Sequence, residues 1–462
     1  MYSLIVFAVA AFAVFAFWYF TKNQSEEKRV LVLKILAVCF SALGLLRYFF
    51  SDAFVEVAIG PGYDVAQSLA RWFYYMGYAV VPLSVFFNSR LFRNLASYFF
   101  LPAAIFSTVI FKSTMEYFLV SDVGWLFLPE VPRCIYYILE LSLAIAIPVM
   151  MQINFRHVFN VKDKEEWKNF LLAIPAVLYR MMPVYIPQSL FGLTDLDYTS
   201  FAEFHLGWMA AMVLEIAVLI LYFRKRSYED KYKLCTFLTI AQGFNTMSVF
   251  LRGFRINRLP LQLCSIAAIF YFIAIIFKKK KLFNFCFTAN IVGALIAILL
   301  AAFDPGALMF WNIHYIHEHT FVLVIPIVAA ALGVFPRIEK SSLKFIWGMF
   351  SIYFLSCLVV GTIINGFADK IGYRINFFYM LLVEEAVKYV PFAGFVGAWE
   401  LNIGKFTVYP ILVAVVYCVY ILLCGGFFAI MQYAYAVRDG RASFFGIKRK
   451  TEAVTEPEVV VK

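Results

Sequence analysis

The sequence predicts an all-α polytopic membrane protein of about thirteen transmembrane helices, laid out as two pseudo-equivalent six-helix halves plus one C-terminal helix. Three observations carry this. Of 462 residues, 63% are hydrophobic and 19% aromatic, and the mean hydropathy is +0.81, well beyond the apolar share of a soluble domain. The apolar residues fall in runs of roughly 20, the length that spans a bilayer core as a helix. Finally, a stretch in the first part of the chain recurs 178 residues later, as an internal duplication requires.

The runs are 2–21, 30–50, 66–88, 94–111, 134–153, 168–187, 205–223, 234–251, 259–277, 284–303, 317–335, 343–364 and 406–432. The first lacks a basic leader and a small-residue cleavage site, so it reads as a span rather than a signal peptide. Basic residues mark one face. Lys22, Lys28 and Arg29, then Arg90 and Arg93, then Arg156, Lys162, Lys164 and Lys168 occupy alternate loops, as do the clusters at 224–233, 278–281, 337–344 and 438–450. The intervening loops 51–67, 188–204 and 304–316 contain no Lys or Arg. The positive-inside rule therefore predicts a multi-pass protein of the plasma (cytoplasmic) membrane, N-terminus outside and C-terminus in the cytoplasm. The net charge of +11 reads as a collar against anionic lipid. Membrane phospholipids are the expected partners and nucleic acid is not.

In the repeat, Ile313-His314-Tyr315-Ile316-His317-Glu318-His319, leading to Ile325-Pro326, matches Ile135-Tyr136-Tyr137-Ile138-Leu139-Glu140-Leu141, leading to Ile147-Pro148. Tyr222-Phe223 echoes Tyr19-Phe20, Leu251-Arg252 echoes Leu46-Arg47, and Leu282-Phe283 echoes Leu91-Phe92. The domains that follow are 1–190, a six-helix half without catalytic residues; 205–432, the half with chemistry; and 442–462, polar enough to form a disordered cytoplasmic tail. Within the second of these, after the twelfth span, 376–396 is apolar but interrupted by Glu384, Glu385, Lys388 and Pro391, which suits an amphipathic or re-entrant segment over the outer face.

Ionisable groups inside apolar segments mark function. The run 311–319 holds three of the five histidines and a carboxylate. Cys264 stands at the start of another span, at the same predicted depth as His319. A thiol with an imidazole in reach makes an acyl-accepting nucleophile that passes the group on through a thioester, with no cofactor. His314, His317 and Glu318 share a helix face at i, i+3 and i+4 and form an alternative metal site. Glu318 also has a plain reading, since Glu140 occupies its place in the first half: a structural carboxylate. Arg252, Arg255 and Arg258, a basic cluster spaced by three on the outer face against the charge rule, suit either a lipid phosphate or acidic outer loops. Glu215, Gln242 and Asn245 lie within spans, lining a cavity or bonding between helices. The other seven cysteines read as small buried hydrophobes, and no disulfide framework is expected.

The run Leu259-Pro260-Leu261-Gln262-Leu263-Cys264-Ser265, the loop Asp304-Pro305-Gly306, the histidine at His319 and the later Asn376 resemble the YwaF-like bacterial integral membrane family. That family is similar to the animal transmembrane acyltransferases acting on ether phospholipids and, more distantly, to the androgen-induced membrane lipid hydrolases. The resemblance covers 205–432. It implies a six-helix core with Cys264 as nucleophile and His319 as base. The extra N-terminal half, and imidazoles at His314 and His317, depart from it.

The expectation is thus an outward-facing lipid acyltransferase or acyl hydrolase, with Cys264 and His319 catalytic and Arg252, Arg255, Arg258, Asn376 and Glu215 on the substrate. Two alternatives stay open: a transporter or lipid carrier with a polar path through Glu215, Arg180 and Glu140, and a metal-dependent hydrolase built on His314, His317 and Glu318.

Overall fold

The computed structural model describes residues 2–50, 65–110, 130–192, 194, 196–250, 256–388 and 392–441. These residues are helical throughout apart from loops and one two-stranded hairpin. Among them, eight helices are long and apolar enough to cross a membrane, and a ninth apolar helix, Leu263–Ile276, is shorter. The chain forms two compact units: Met1–Gly207, Ile240–Arg258 and Phe303–His317 in the first, and Trp208–Thr239, Leu259–Ala302 and Glu318–Lys462 in the second. Arg252, Arg255 and the tail 442–462, each given a role by the sequence, lie outside the described residues.

In the first unit, α1 (Tyr2–Thr21) and α2 (Glu26–Phe50) pack on α7 (Glu130–Phe155). Between them in sequence come α3 (Val65–Tyr75), α4 (Gly77–Phe86), α5 (Arg90–Asn94), a π-helical turn Leu95–Phe100 and α6 (Leu101–Ile110). Pro82 inside α4 cannot donate to the carbonyl of Tyr78, and the Ser41 hydroxyl of α2 donates to that carbonyl at 2.6 Å, so no backbone group is left unpaired there. The buried carboxylate of Glu140 accepts hydroxyl protons from Tyr74, at 3.1 Å, and from Tyr78. Gly44 makes room for the Tyr78 ring: a Cβ there would lie 2.3 Å from a ring carbon. The unit continues through α8 (Lys164–Arg180) and α9 (Ile186–Phe191). Asp163 caps α8, its side chain accepting from the amides of Glu165 and Glu166.

The second unit draws on α10 (Glu203–Phe223), α11 (Tyr228–Met247), α12 (Leu263–Ile276), α13 (Lys280–Phe285), a second π turn Cys286–Asn290, α14 (Ile291–Leu299), α15 (Phe310–Ala331) and α16 (Ser342–Gly366). The long α17 (Pro410–Arg438), with proline in its first turn, closes the series. Pro326 in α15 repeats the device seen at Pro82: the carbonyl it leaves free, that of Val322, accepts the Tyr271 hydroxyl at 2.9 Å. Phe283 and Phe335 stack at 4.1 Å, and Asn284 donates to Ser342 at 2.9 Å, tying α13 to the start of α16.

The segment between α16 and α17 is a compact connector. It consists of one-turn helices at Ala368–Ile371, Phe377–Tyr379, Val383–Ala386 and Ala393–Val396, then a hairpin of β1 (Leu401–Ile403) and β2 (Phe406–Val408). Ile403 pairs with Phe406 across Gly404-Lys405, where Gly404 has φ +62, the conformation a two-residue hairpin loop needs. The connector packs onto α16 at Gly361, where an added Cβ would lie 2.2 Å from Leu381 and 3.3 Å from Phe377.

Several boundaries differ from the apolar runs. The run 317–335 begins as helix at Phe310, because the apolar and aromatic residues 310–313 form its first turn. Asn312 anchors that turn, bonding the backbone of Asp304 and Gly306. The histidines therefore lie within the helix and not at its mouth. The run 259–277 becomes helical only at Leu263, since Pro260 supplies no amide and keeps its predecessor extended. The last run begins as the hairpin strand Phe406–Val408 before the helix proper.

Candidate active site

The site in the second unit is built on the first turn of α12. Gln262 is extended (φ −68, ψ 148) and caps the helix; the first helical bond runs from the Ile266 amide to its carbonyl at 2.9 Å. Cys264 is the second helical residue, so the amides ahead of that bond have no intrahelical acceptor. The Cys264 sulfur beside them lies 4.0 Å from the Ser265 hydroxyl. From α15, the buried carboxylate of Glu318 lies close enough to Ser265 and Cys264 for both to act on its charge. Cys264 as a whole residue is half-buried.

The backbone before Cys264 is fixed from several sides. The Leu261 carbonyl accepts from the Tyr353 hydroxyl and, at 3.4 Å, from the Cys357 thiol. The Leu263 carbonyl accepts from Asn290 at 2.8 Å, and Asn290 is the last residue of the second π turn. The extra residue in such a turn rotates the positions after it, and π turns recur at functional sites. The Gln262 side chain reaches the Asn376 carbonyl in the connector at 3.4 Å. Beside it, Phe378 is buried with φ +56, a conformation rare for a bulky side chain. Its ring is packed among Phe350, Tyr353, Phe354 and Tyr420 at centroid distances of 5.2 to 5.9 Å.

His319 is buried on α15, next in sequence to Glu318, and adjacent helical residues diverge by about 100°. The following residue, Thr320, accepts the Trp208 indole N–H at 2.7 Å. Asn376 spends its side chain inside the connector, accepting from the amides of Leu381 and Leu382 and donating to Glu385. Glu215 sits half-buried on α10. The remaining candidates belong to the first unit. There the His314 Nδ1 pairs with the Ser248 hydroxyl at 2.8 Å, and the His317 ring lies 6.4 Å from that of Tyr179. Arg258 donates to the Val249 carbonyl at 3.2 Å and lies over the Trp311 ring at 4.8 Å. Arg180 is buried over Tyr179, and Glu140 is held by its two tyrosines. Among the described residues, no three His, Cys, Asp or Glu side chains converge as ligands of a metal ion. Sequence reasoning missed Ser265, Asn290 and Tyr353, and it assigned Glu318 away from the thiol. The signal for Ser265 was its place directly after Cys264.

A thiol, a hydroxyl and a carboxylate brought together inside a bundle of apolar helices define a polytopic membrane protein with an internal polar site. The family model described as the TMEM164 family matches residues 198–428, half of the chain, and the chain belongs to this family of transmembrane proteins. The matched stretch contains Cys264, Ser265, Glu318, His319 and Asn376. No curated protein and no solved structure matches the chain.

Proposed function

We propose that the protein is a membrane-embedded acyl-transfer enzyme acting on lipid esters, in which Cys264 is the nucleophile. The observation that carries this reading is the approach of the buried Glu318 carboxylate to Cys264 and Ser265 at the start of a helix. A base in hydrogen-bond reach, and free amides where charge develops, are what a covalent thiol mechanism requires. The thiol proton passes to Glu318 as sulfur attacks the ester carbonyl. The tetrahedral oxyanion collapses, the alcohol leaves with the proton returned from Glu318, directly or relayed through His319, and a thioester remains on Cys264. An incoming alcohol, amine or water then attacks the thioester, giving up its proton to the same bases, and the thiol is restored. The likeness of Leu259–Ser265 to the YwaF-like family supports the same nucleophile, as does the connector, which carries Phe378 beside Tyr353 and Tyr420 as an aromatic wall for an acyl chain.

The basic loops support the topology already drawn from the sequence, with the tail cytoplasmic and the site opening on the outer face of the plasma membrane. The test is acyl transfer from a phospholipid carrying a labelled acyl chain, followed in lipid nanodiscs. Wild type should release or transfer the label; Cys264→Ala should not; His319→Asn should be slowed about tenfold or more. Equal turnover by wild type and Cys264→Ala excludes the mechanism.

A further inference from the structure

The first unit contains a second polar feature, separate from the thiol site and independent of its chemistry. Where α2 begins and α4 and α7 end, a cavity of about 600 Å³ is lined by Arg29, Lys34, Arg93 and Arg156, with Glu26 its one carboxylate and Asn154 between the cations. Four cations against one anion in a single cavity repel one another unless an anion joins them.

Three of the four cations have side-chain contacts. Arg29 donates from Nε to the Asn154 Oδ1 at 2.9 Å. The Arg93 guanidinium lies 3.8 Å from the centre of the Phe155 ring, and the Lys34 ammonium 5.3 Å from that of Phe86. Arg156 follows the end of α7 with φ +46, a backbone conformation unusual for its side chain. Two donors remain unused although buried: the Arg93 Nε and the Asn154 Nδ2 have no hydrogen-bond partner. Buried donors of this kind ordinarily find an acceptor. Val30, Val85 and Phe86 complete the wall, so the cavity is charged on one side and apolar on the other.

We propose that this cavity binds a phosphate group. Its oxygens would bridge the Arg29 and Arg93 guanidinium groups, whose planar donor pairs match phosphate, with Lys34 and Arg156 as point charges around it. The apolar wall fits a phosphate that arrives as the headgroup of an anionic phospholipid; a soluble phosphate shares the same chemistry.

The test uses the purified full chain in detergent, titrated separately with dihexanoyl phosphatidylglycerol, dihexanoyl phosphatidylcholine and inorganic phosphate, with binding read by native mass spectrometry. Wild type should bind phosphatidylglycerol, and the double variant Arg29→Gln/Arg93→Gln should weaken that binding tenfold or more. Lys225→Gln/Lys231→Gln, which removes the same charge from another basic loop, should leave it unchanged. Should the double variant fail to fold, Arg93→Lys keeps the charge, lacks the planar fork and should still bind more weakly. Binding of inorganic phosphate with similar affinity assigns the cavity to a soluble phosphate; binding of the phospholipid alone assigns it to a headgroup. Phosphatidylglycerol binding that survives in the double variant, or that the control pair weakens equally, overturns the proposal, as does the absence of binding by either anionic probe.

Discussion

Glu318, in the third turn of α15, is buried close enough to Cys264, in the first turn of α12, for its carboxylate to act on the charge of the thiol. That approach offers the carboxylate as a proton acceptor for the thiol. Glu318→Gln preserves shape and removes the proton acceptor. Acylation of Cys264 should fall by about 10² or more, the contribution typical of a positioned base, while the fold is retained. Rates of single-turnover acylation check this, and an unchanged rate would return the role of base to His319 alone.

Asn290 acts on the thiol only through the backbone, by its 2.8 Å bond to the Leu263 carbonyl. Asn290→Leu removes the side-chain bond to that carbonyl, which keeps its helical partner, and should cost about 0.5–1.5 kcal/mol of stability. Acylation should slow as well, since the turn that presents Cys264 is released. Thermal unfolding and acylation measured on the same variant report the two effects together.

Gly361 is the point where the connector meets α16. Any larger side chain collides with Leu381 and Phe377. Gly361→Leu should therefore destabilise by about 1–3 kcal/mol and raise protease cleavage between 368 and 408, with cleavage elsewhere unaltered. Cleavage that stays at the wild-type level would show that the connector does not depend on this contact.

At the end of the first unit that carries the basic loops, His157 bonds Asn94 at 2.7 Å, and Asn94 and Arg90 both donate to Glu166. Burial, with Arg90 and Arg93 adding to it, holds His157 below its ordinary 6.5. Burial pushes Glu166 upward, but the bonds from Asn94 and Arg90 prevail and hold it below 4.5. Both groups are thus harder to protonate folded than unfolded, so each contributes stability that is lost as pH falls. Loss should begin below about pH 6.5 through His157 and deepen below about 4.5 through Glu166. Unfolding midpoints across that range check it: His157→Gln should flatten the upper part of the curve and leave the lower part in place.

The membrane class was legible because about 20 consecutive apolar residues have few alternatives to a spanning helix. Where each helix starts was less legible. Trp311 to His319 alternates apolar and polar residues whether it opens a helix or lies inside one, and only the Asn312 contacts with the preceding loop place the first turn at Phe310. The π turns at Leu95–Phe100 and Cys286–Asn290 leave no local mark, yet both follow the repeated Leu-Phe pairs at 91–92 and 282–283, so the repeat carried a signal that span counting ignored. Cys264 was legible from Leu259–Ser265. Its neighbour on α15 was not: Glu318 and His319 are adjacent in sequence, and periodicity does not say which of two adjacent positions a facing helix will meet. Glu140, in the place the sequence match assigns to Glu318, accepts the hydroxyls of Tyr74 and Tyr78, a purely structural role that the sequence offers for Glu318 as well.

The central claim is a covalent acyl group on Cys264. It is tested most directly by incubating the wild-type protein in nanodiscs with a phospholipid carrying a labelled acyl chain, quenching, and mapping the label by peptide mass spectrometry with and without neutral hydroxylamine. The account predicts one hydroxylamine-sensitive label, on the peptide containing Cys264, absent from Cys264→Ala and much reduced in Glu318→Gln. Turnover of the lipid with no label on Cys264, or undiminished turnover by Cys264→Ala, would contradict it.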